Sequence, residues 1–172
     1  SPKAFITTYS INPHNQTMNR KKILIGVSII LAAGITIIAY MLNMPERDVQ
    51  GADSDYQIPA TALVQEYLDD AASANAKYLD ASGESSILEV TGIIANISRD
   101  SKNQVVILLQ SDDDPAGVSC TFSLETNAST NGLSVGKEVI IKGVIRSGAA
   151  YDKDLEMFEP VIIEKADLFD ML

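Results

Sequence analysis

The side chains most often recruited for catalysis are scarce in this 172-residue sequence, which has one histidine, His14, and one cysteine, Cys120. A Ser-His or Cys-His nucleophile pair needs an imidazole within hydrogen-bond reach of the group it activates. His14 precedes a long apolar run, so it is placed to serve nothing that folds after that run. The sequence contains no G-x-S-x-G elbow, Walker A loop or H-E-x-x-H pair. Its 23 Asp and Glu residues show no spacing that would single out an acid–base pair. No catalytic residue is named, and no enzyme activity is expected.

Two acidic groups invite a test for metal binding: the alternating Asp152, Asp154 and Glu156, and the cluster Asp112, Asp113 and Asp114. An EF-hand loop counted from Asp152 would need Gly sixth and Glu twelfth, but Met157 and Ile163 stand there. Both groups read as solvated loops, and no metal or cofactor is expected. Cys120 alternates with Val118 and Phe122, the pattern of a thiol on the buried face of a strand.

The dominant element is Ile23 to Leu42, an uncharged run entered through Arg20-Lys21-Lys22. At about 1.5 Å per helical residue it reaches roughly 30 Å, the thickness of a bilayer core. It is too long for a signal-peptide core, and no Ala-x-Ala-like site follows, so an uncleaved transmembrane anchor over 23–42 is expected. All acidic residues follow this run, and the basic cluster precedes it. The positive-inside tendency then puts a short tail, 1–22, in the cytoplasm and the C-terminal domain outside it, periplasmic or extracellular. Residues 1–17 read either as an upstream extension or as a short disordered tail.

Beyond the anchor, nine basic residues face 23 acidic ones, a formal charge of −14. That field repels phosphate backbones, so nucleic acid is an unfavoured partner. Residues 43–58 are polar and acidic and read as a flexible linker. Residues 59–80 form a helical segment: Leu63, Val64, Tyr67, Leu68, Ala71 and Ala74 recur at helical spacing, with one helix or two short ones both open. From 81 to 172 the pattern is that of strands: Ile87 to Ile97, Gln104 to Gln110, Val118 to Ser123, Glu138 to Arg146 and Phe158 to Lys165. Five strands with a longer connection after the third suit a small Greek-key barrel. Gly92 and Gly143, each inside a strand, are expected to mark bulges or bends.

Leu88-Glu89-Val90-Thr91-Gly92-Ile93-Ile94, Val118-Ser119-Cys120-Thr121-Phe122 and Leu133-Ser134-Val135-Gly136-Lys137-Glu138, which leads into Val139-Ile140-Ile141-Lys142-Gly143, carry a family likeness. With Ala74-Asn75-Ala76-Lys77-Tyr78-Leu79 before them, they resemble the tRNA-anti-like OB-fold family of bacteria. The resemblance covers about residues 60 to 168 and implies a mainly β fold: a five-stranded OB-fold barrel preceded by a helical segment. It implies no catalytic residues and no tRNA binding.

OB barrels commonly bind across strands 2 and 3, between the loops joining strands 1 to 2 and 4 to 5. Those loops, about 98–103 and 146–157, hold Arg99, Lys102, Arg146, Tyr151 and Lys153, the candidate ligand-binding residues. Few aromatic residues stand beside them, whereas single strands of nucleic acid need stacking platforms. The expectation is a membrane-anchored, non-enzymatic binding module for a protein or small ligand, with oligonucleotide binding as the alternative.

Overall fold

The computed structural model describes residues 20–42 and 47–172, with side chains in the first stretch given over 25–39. The expected tail up to residue 19 and the start of the expected linker, 43–46, lie outside the described residues. The chain divides into two compact units, one ending at Glu46 and one running Arg47–Leu172.

In the first unit, α1 (Arg20–Leu42) is a 23-residue helix over the run expected to cross a membrane. Among the described residues no helix is long and apolar enough to cross a membrane. The stretch with described side chains, 25–39, reaches only about 22 Å at about 1.5 Å per residue. Within that stretch Ile25, Ile29, Ile30, Ile35 and Ile38 are all exposed.

The second unit begins with β1 (Tyr56–Pro59), α2 (Ala60–Asp69) and α3 (Ala71–Tyr78). Asp70 breaks the helical segment in two: its backbone leaves the helical region, and its carboxylate accepts hydrogen bonds from the Ser73 N–H at 3.1 Å and hydroxyl at 2.6 Å. Those bonds hold the Asp70 carboxyl below its ordinary range and cap α3. The barrel follows as β2 (Ile87–Arg99), β3 (Val105–Leu109), β4 (Val118–Phe122), β5 (Glu138–Ser147) and β8 (Val161–Met171). A short hairpin, β6 (Ala150–Asp152) and β7 (Met157–Glu159), interrupts the last connection.

Strand order β2-β3-β4-β8-β5 closes on itself through β2–β5 pairing, from Ile87↔Val144 to Ile93↔Glu138. β4 and β8 run parallel and the other barrel pairs antiparallel, as a Greek-key path requires. Strict alternation decides what points inward: Val105, Ile107 and Leu109 are buried while Val106 and Leu108 are half-buried. Cys120 lies in this core between Val118 and Phe122, and burial pushes its thiol far up from the ordinary value. The core therefore holds the cysteine as an inert thiol.

α2 covers one end of the barrel. Its buried Leu63, Val64 and Tyr67 join the barrel interior, and Thr61 reaches Asp114 in the β3–β4 connection at 2.7 Å. Tyr67 stacks on Tyr78 at 6.1 Å, while the Tyr78 hydroxyl donates to Glu66 at 2.9 Å. Residues 124–133, open to a short helix or a loop, contain one 3-10 turn, Asn127–Thr130. Asn127 accepts from the Val105 N–H, and Thr126 donates to the Ala166 carbonyl, both at 2.7 Å, so the connection is tied to two strands.

Residues 47–55, expected within the flexible linker, instead lie as a strap on the outside of the β2–β5–β8 sheet. Val49 is buried with Ile87 and Val144, and Arg47 donates to the Ser85 carbonyl at 2.7 Å. Buried Lys142 donates to the Gln50 carbonyl at 3.2 Å and to the Ala52 carbonyl. β1 then pairs in parallel with β2, from Tyr56↔Leu88 to Pro59↔Thr91. Polarity alone suggested a tether, but these polar groups find their partners on the barrel.

The two strand glycines differ. Pairing of β5 with β8 slips between Lys142 and Val144, so Gly143 sits at a bulge, whereas Gly92 keeps regular register with Val139. A Cβ on Gly143 would stand 2.5 Å from Ile163 Cγ2 and 2.9 Å from the Glu164 carbonyl. On Gly92 it would meet the Cβ atoms of Ala60 and Leu109 at 3.1 Å and Leu109 Cδ1 at 3.5 Å. Gly143→Ala is expected to destabilise by about 1–3 kcal/mol, and Gly92→Ala by less; denaturant midpoints check the order.

Tyr67 yields a second prediction. Its hydroxyl is buried without a hydrogen-bond partner among the described residues, and burial, with Tyr78 and Glu66 nearby, raises its pKa from 10.0 to about 12. Tyr67→Phe removes an unsatisfied group and is expected to raise stability by about 1 kcal/mol. Because the folded pKa exceeds the unfolded one, this group's contribution is complete below pH 10 and is lost as pH rises towards 12. The Phe variant should lose less stability than the parent across that window in denaturation at stepped pH.

Candidate nucleic-acid and partner-binding faces

The face that OB barrels customarily use lies across β3 and β4. Pairing Val106↔Thr121 and Leu108↔Ser119 places these four residues together, and inward alternation leaves them on the outside. Asn96 and Ser98 of β2 continue the row opposite Leu108 and Val106. These six residues are uncharged and offer neither a ring for stacking nor a cation for phosphate.

The five candidate residues divide between opposite ends of the barrel. Arg99 ends β2, and Lys102 lies in the turn that follows. There the Asp100 carboxylate accepts the N–H groups of Lys102 at 2.9 Å and Gln104 at 2.8 Å. Asn103 adopts φ 64° to complete the turn, and Arg99 donates to its carbonyl at 3.0 Å. Arg99 is thus engaged in shaping its own loop.

At the other end, Arg146 is drawn away from the face. Its Nε pairs with Glu164 at 3.1 Å, and its Nη1 donates to the Gly83 carbonyl at 3.2 Å. Tyr151 lies in β6 and packs against Phe158 of β7, with ring centroids 4.9 Å apart. Lys153 is exposed in the β6–β7 turn. The structure therefore brings Tyr151 and Lys153 into one hairpin, keeps Arg99 and Lys102 in another loop, and commits Arg146 to an ion pair.

Two of the acidic side chains considered for metal, Asp152 and Asp114, have internal duties. Asp152 accepts the N–H groups of Asp154 at 2.7 Å and Leu155 at 3.1 Å, which closes the hairpin turn. Asp114 accepts from Thr61 and from the Ser111 N–H at 3.2 Å.

Leu155, Met157 and Phe158 share this hairpin, and no motif in the sequence marks them as part of a site. They are 65%, 53% and 38% exposed, beside Tyr151 at 49%. The apolar run after Phe158 suggests that it opens the last barrel strand, but it lies in β7, and β8 starts at Val161. Pro160, which cannot donate to a ladder, was the available sign that β7 and β8 are separate.

A solved structure shares this architecture. A candidate nucleic acid-binding lipoprotein from Klebsiella pneumoniae subsp. pneumoniae matches with a TM-score of 0.51 at 17% identity, over 74% of this chain and 100% of that one. At that identity the likeness shows the fold alone. No curated protein matches in sequence. The model of the tRNA_anti-like family matches residues 18–154, which includes most of the barrel strands and both helices in front of them. With that match and a closed five-stranded barrel of OB order, the chain belongs to the tRNA_anti-like family.

Proposed function

We propose that this protein is a membrane-anchored, extracytoplasmic, non-enzymatic OB-fold module that binds a protein or a small ligand. The observation that carries the reading is the outer face of β3 and β4, where Val106, Leu108, Ser119 and Thr121 offer nothing for stacking or for neutralising phosphate. Single-stranded nucleic acid takes its affinity from aromatic platforms in a positive groove. The domain charge of −14, nine basic against 23 acidic residues, adds repulsion. The burial of Cys120 supports a role without nucleophilic chemistry.

Anchoring is supported by α1. Its residues 25–39 carry no charge, and Ile25, Ile30 and Leu31 are among the exposed side chains there. Its Thr36 hydroxyl donates to the Ala32 carbonyl at 2.8 Å, so that polar group is satisfied within the helix. The similar Klebsiella protein is described as a lipoprotein, which accords with attachment at a membrane. That protein's description as a candidate nucleic-acid binder favours the second reading, oligonucleotide binding.

Fluorescence anisotropy with labelled single-stranded DNA and RNA, on the full chain in phosphatidylcholine nanodiscs, separates the two. No saturable binding is expected at physiological salt; saturable binding that weakens steeply with salt would establish the second reading. A reporter fused after Leu172 should be active only outside the cytoplasm, and cytoplasmic activity would overturn the topology.

A further inference from the structure

The connection between β5 and β8 folds into an independent two-stranded sheet, paired Ala150↔Glu159, Tyr151↔Phe158 and Asp152↔Met157. It is ordered from within. Asp152 holds the turn through two N–H groups, the Tyr151 and Phe158 rings pack together, and Glu156 takes a left-handed φ of 52°. A left-handed backbone at a bulky non-glycine residue carries strain, which persists only where surrounding contacts impose it.

The product is an exposed apolar surface that the barrel does not use. Opposite residues of a ladder share a face and successive pairs alternate, so Tyr151 and Phe158 occupy one face and Met157 the other, with Leu155 at the tip. Four carboxylates share the hairpin with one cation, Lys153: by the same alternation Asp152 and Glu159 lie on the Met157 face, and Asp154 and Glu156 lie in the turn with Leu155. Among the described residues none of the four forms an ion pair.

We propose that this hairpin docks a segment of a partner protein in which apolar side chains alternate with lysine or arginine. The inference rests on the protein-binding reading above and names its surface and its partner's chemistry. Charge complementarity selects the occupant. Phosphate backbones and anionic lipid headgroups meet four carboxylates of their own sign, and a second copy presents the same negative hairpin. A basic, apolar segment pairs with Asp154 and Glu156 in the turn while covering Tyr151, Leu155 and Phe158. The ordered turn spares the hairpin much of the entropic cost of binding.

The test uses the full chain in phosphatidylcholine nanodiscs and a labelled heptapeptide, Lys-Leu-Arg-Phe-Arg-Leu-Lys, with its glutamate-for-base counterpart, empty discs being subtracted. The basic peptide is expected to bind and the acidic one not. Leu155→Ser with Phe158→Ser should weaken binding at least tenfold without altering the melting temperature, and Asp154→Asn with Glu156→Gln should weaken it and flatten its salt dependence. Phe169→Ser, at an exposed ring outside the hairpin, should leave binding unchanged.

Absence of binding by the basic peptide, or binding indifferent to the Leu155 and Phe158 changes, would overturn the proposal. So would recruitment to phosphatidylglycerol vesicles, or self-association in ultracentrifugation, abolished by those same changes. Each of these leaves the wider reading standing, whereas saturable oligonucleotide binding would overturn that reading itself.

Discussion

Closing five strands into one barrel obliges β5 to lie against β2 on one side and β8 on the other, and the narrowest point of that contact is Gly143. There the β8 side chain of Ile163 and the carbonyl of Glu164 occupy the space that any Cβ would need. The bulge between Lys142 and Val144 bends β5 so that it serves both neighbours. Closure in turn removes the free edges of the barrel strands over most of their length, and it lets Phe122, Ile141, Ile145 and Ile163 fill one continuous interior.

The same bend fixes what happens outside. Lys142 stands in register with Glu89 on β2 and Asp167 on β8, and all three strands present it to the strap. An ammonium group buried to this degree must find hydrogen-bond acceptors, and the carbonyls of Gln50 and Ala52 supply them. Glu89 is satisfied in the same way by the Gln57 amide at 2.8 Å. Two buried charges thus convert a polar stretch into part of the domain, and the outer surface of β2 and β5 is covered. With the interior full and that sheet covered, the exposed apolar hairpin is one surface whose chemistry folding leaves unspent.

The barrel was legible because its signals are local. Alternation over Val105–Leu109 and Val118–Phe122, and turn residues such as Asp100 and Asn103, mark strands and their ends without knowledge of the partner strand. The strap and β1 were not legible, since Arg47, Gln50 and Gln57 show their role only when Ser85, Lys165 and Glu89 are brought to them from far along the chain. The candidate site was read by loop membership, which put Tyr151 and Lys153 in one loop, 146–157, that the structure folds into a hairpin. Loop membership could not reveal that Glu164 and Gly83 claim Arg146, because those contacts span 18 and 63 residues.

Hydrogen exchange across the second unit tests most directly whether closure and strap form one structure. The amides of the β2–β5 ladder, Ile87–Ile93 with Glu138–Val144, should exchange only through global unfolding, and the Asp55 amide, bonded to the Ile87 carbonyl at 2.8 Å, should be protected with them. Hairpin amides outside the short β6–β7 ladder should exchange far faster. Exchange of the strap and β1 amides at unfolded-chain rates, while the ladder stays protected, would show the strap to be a tether and contradict this account.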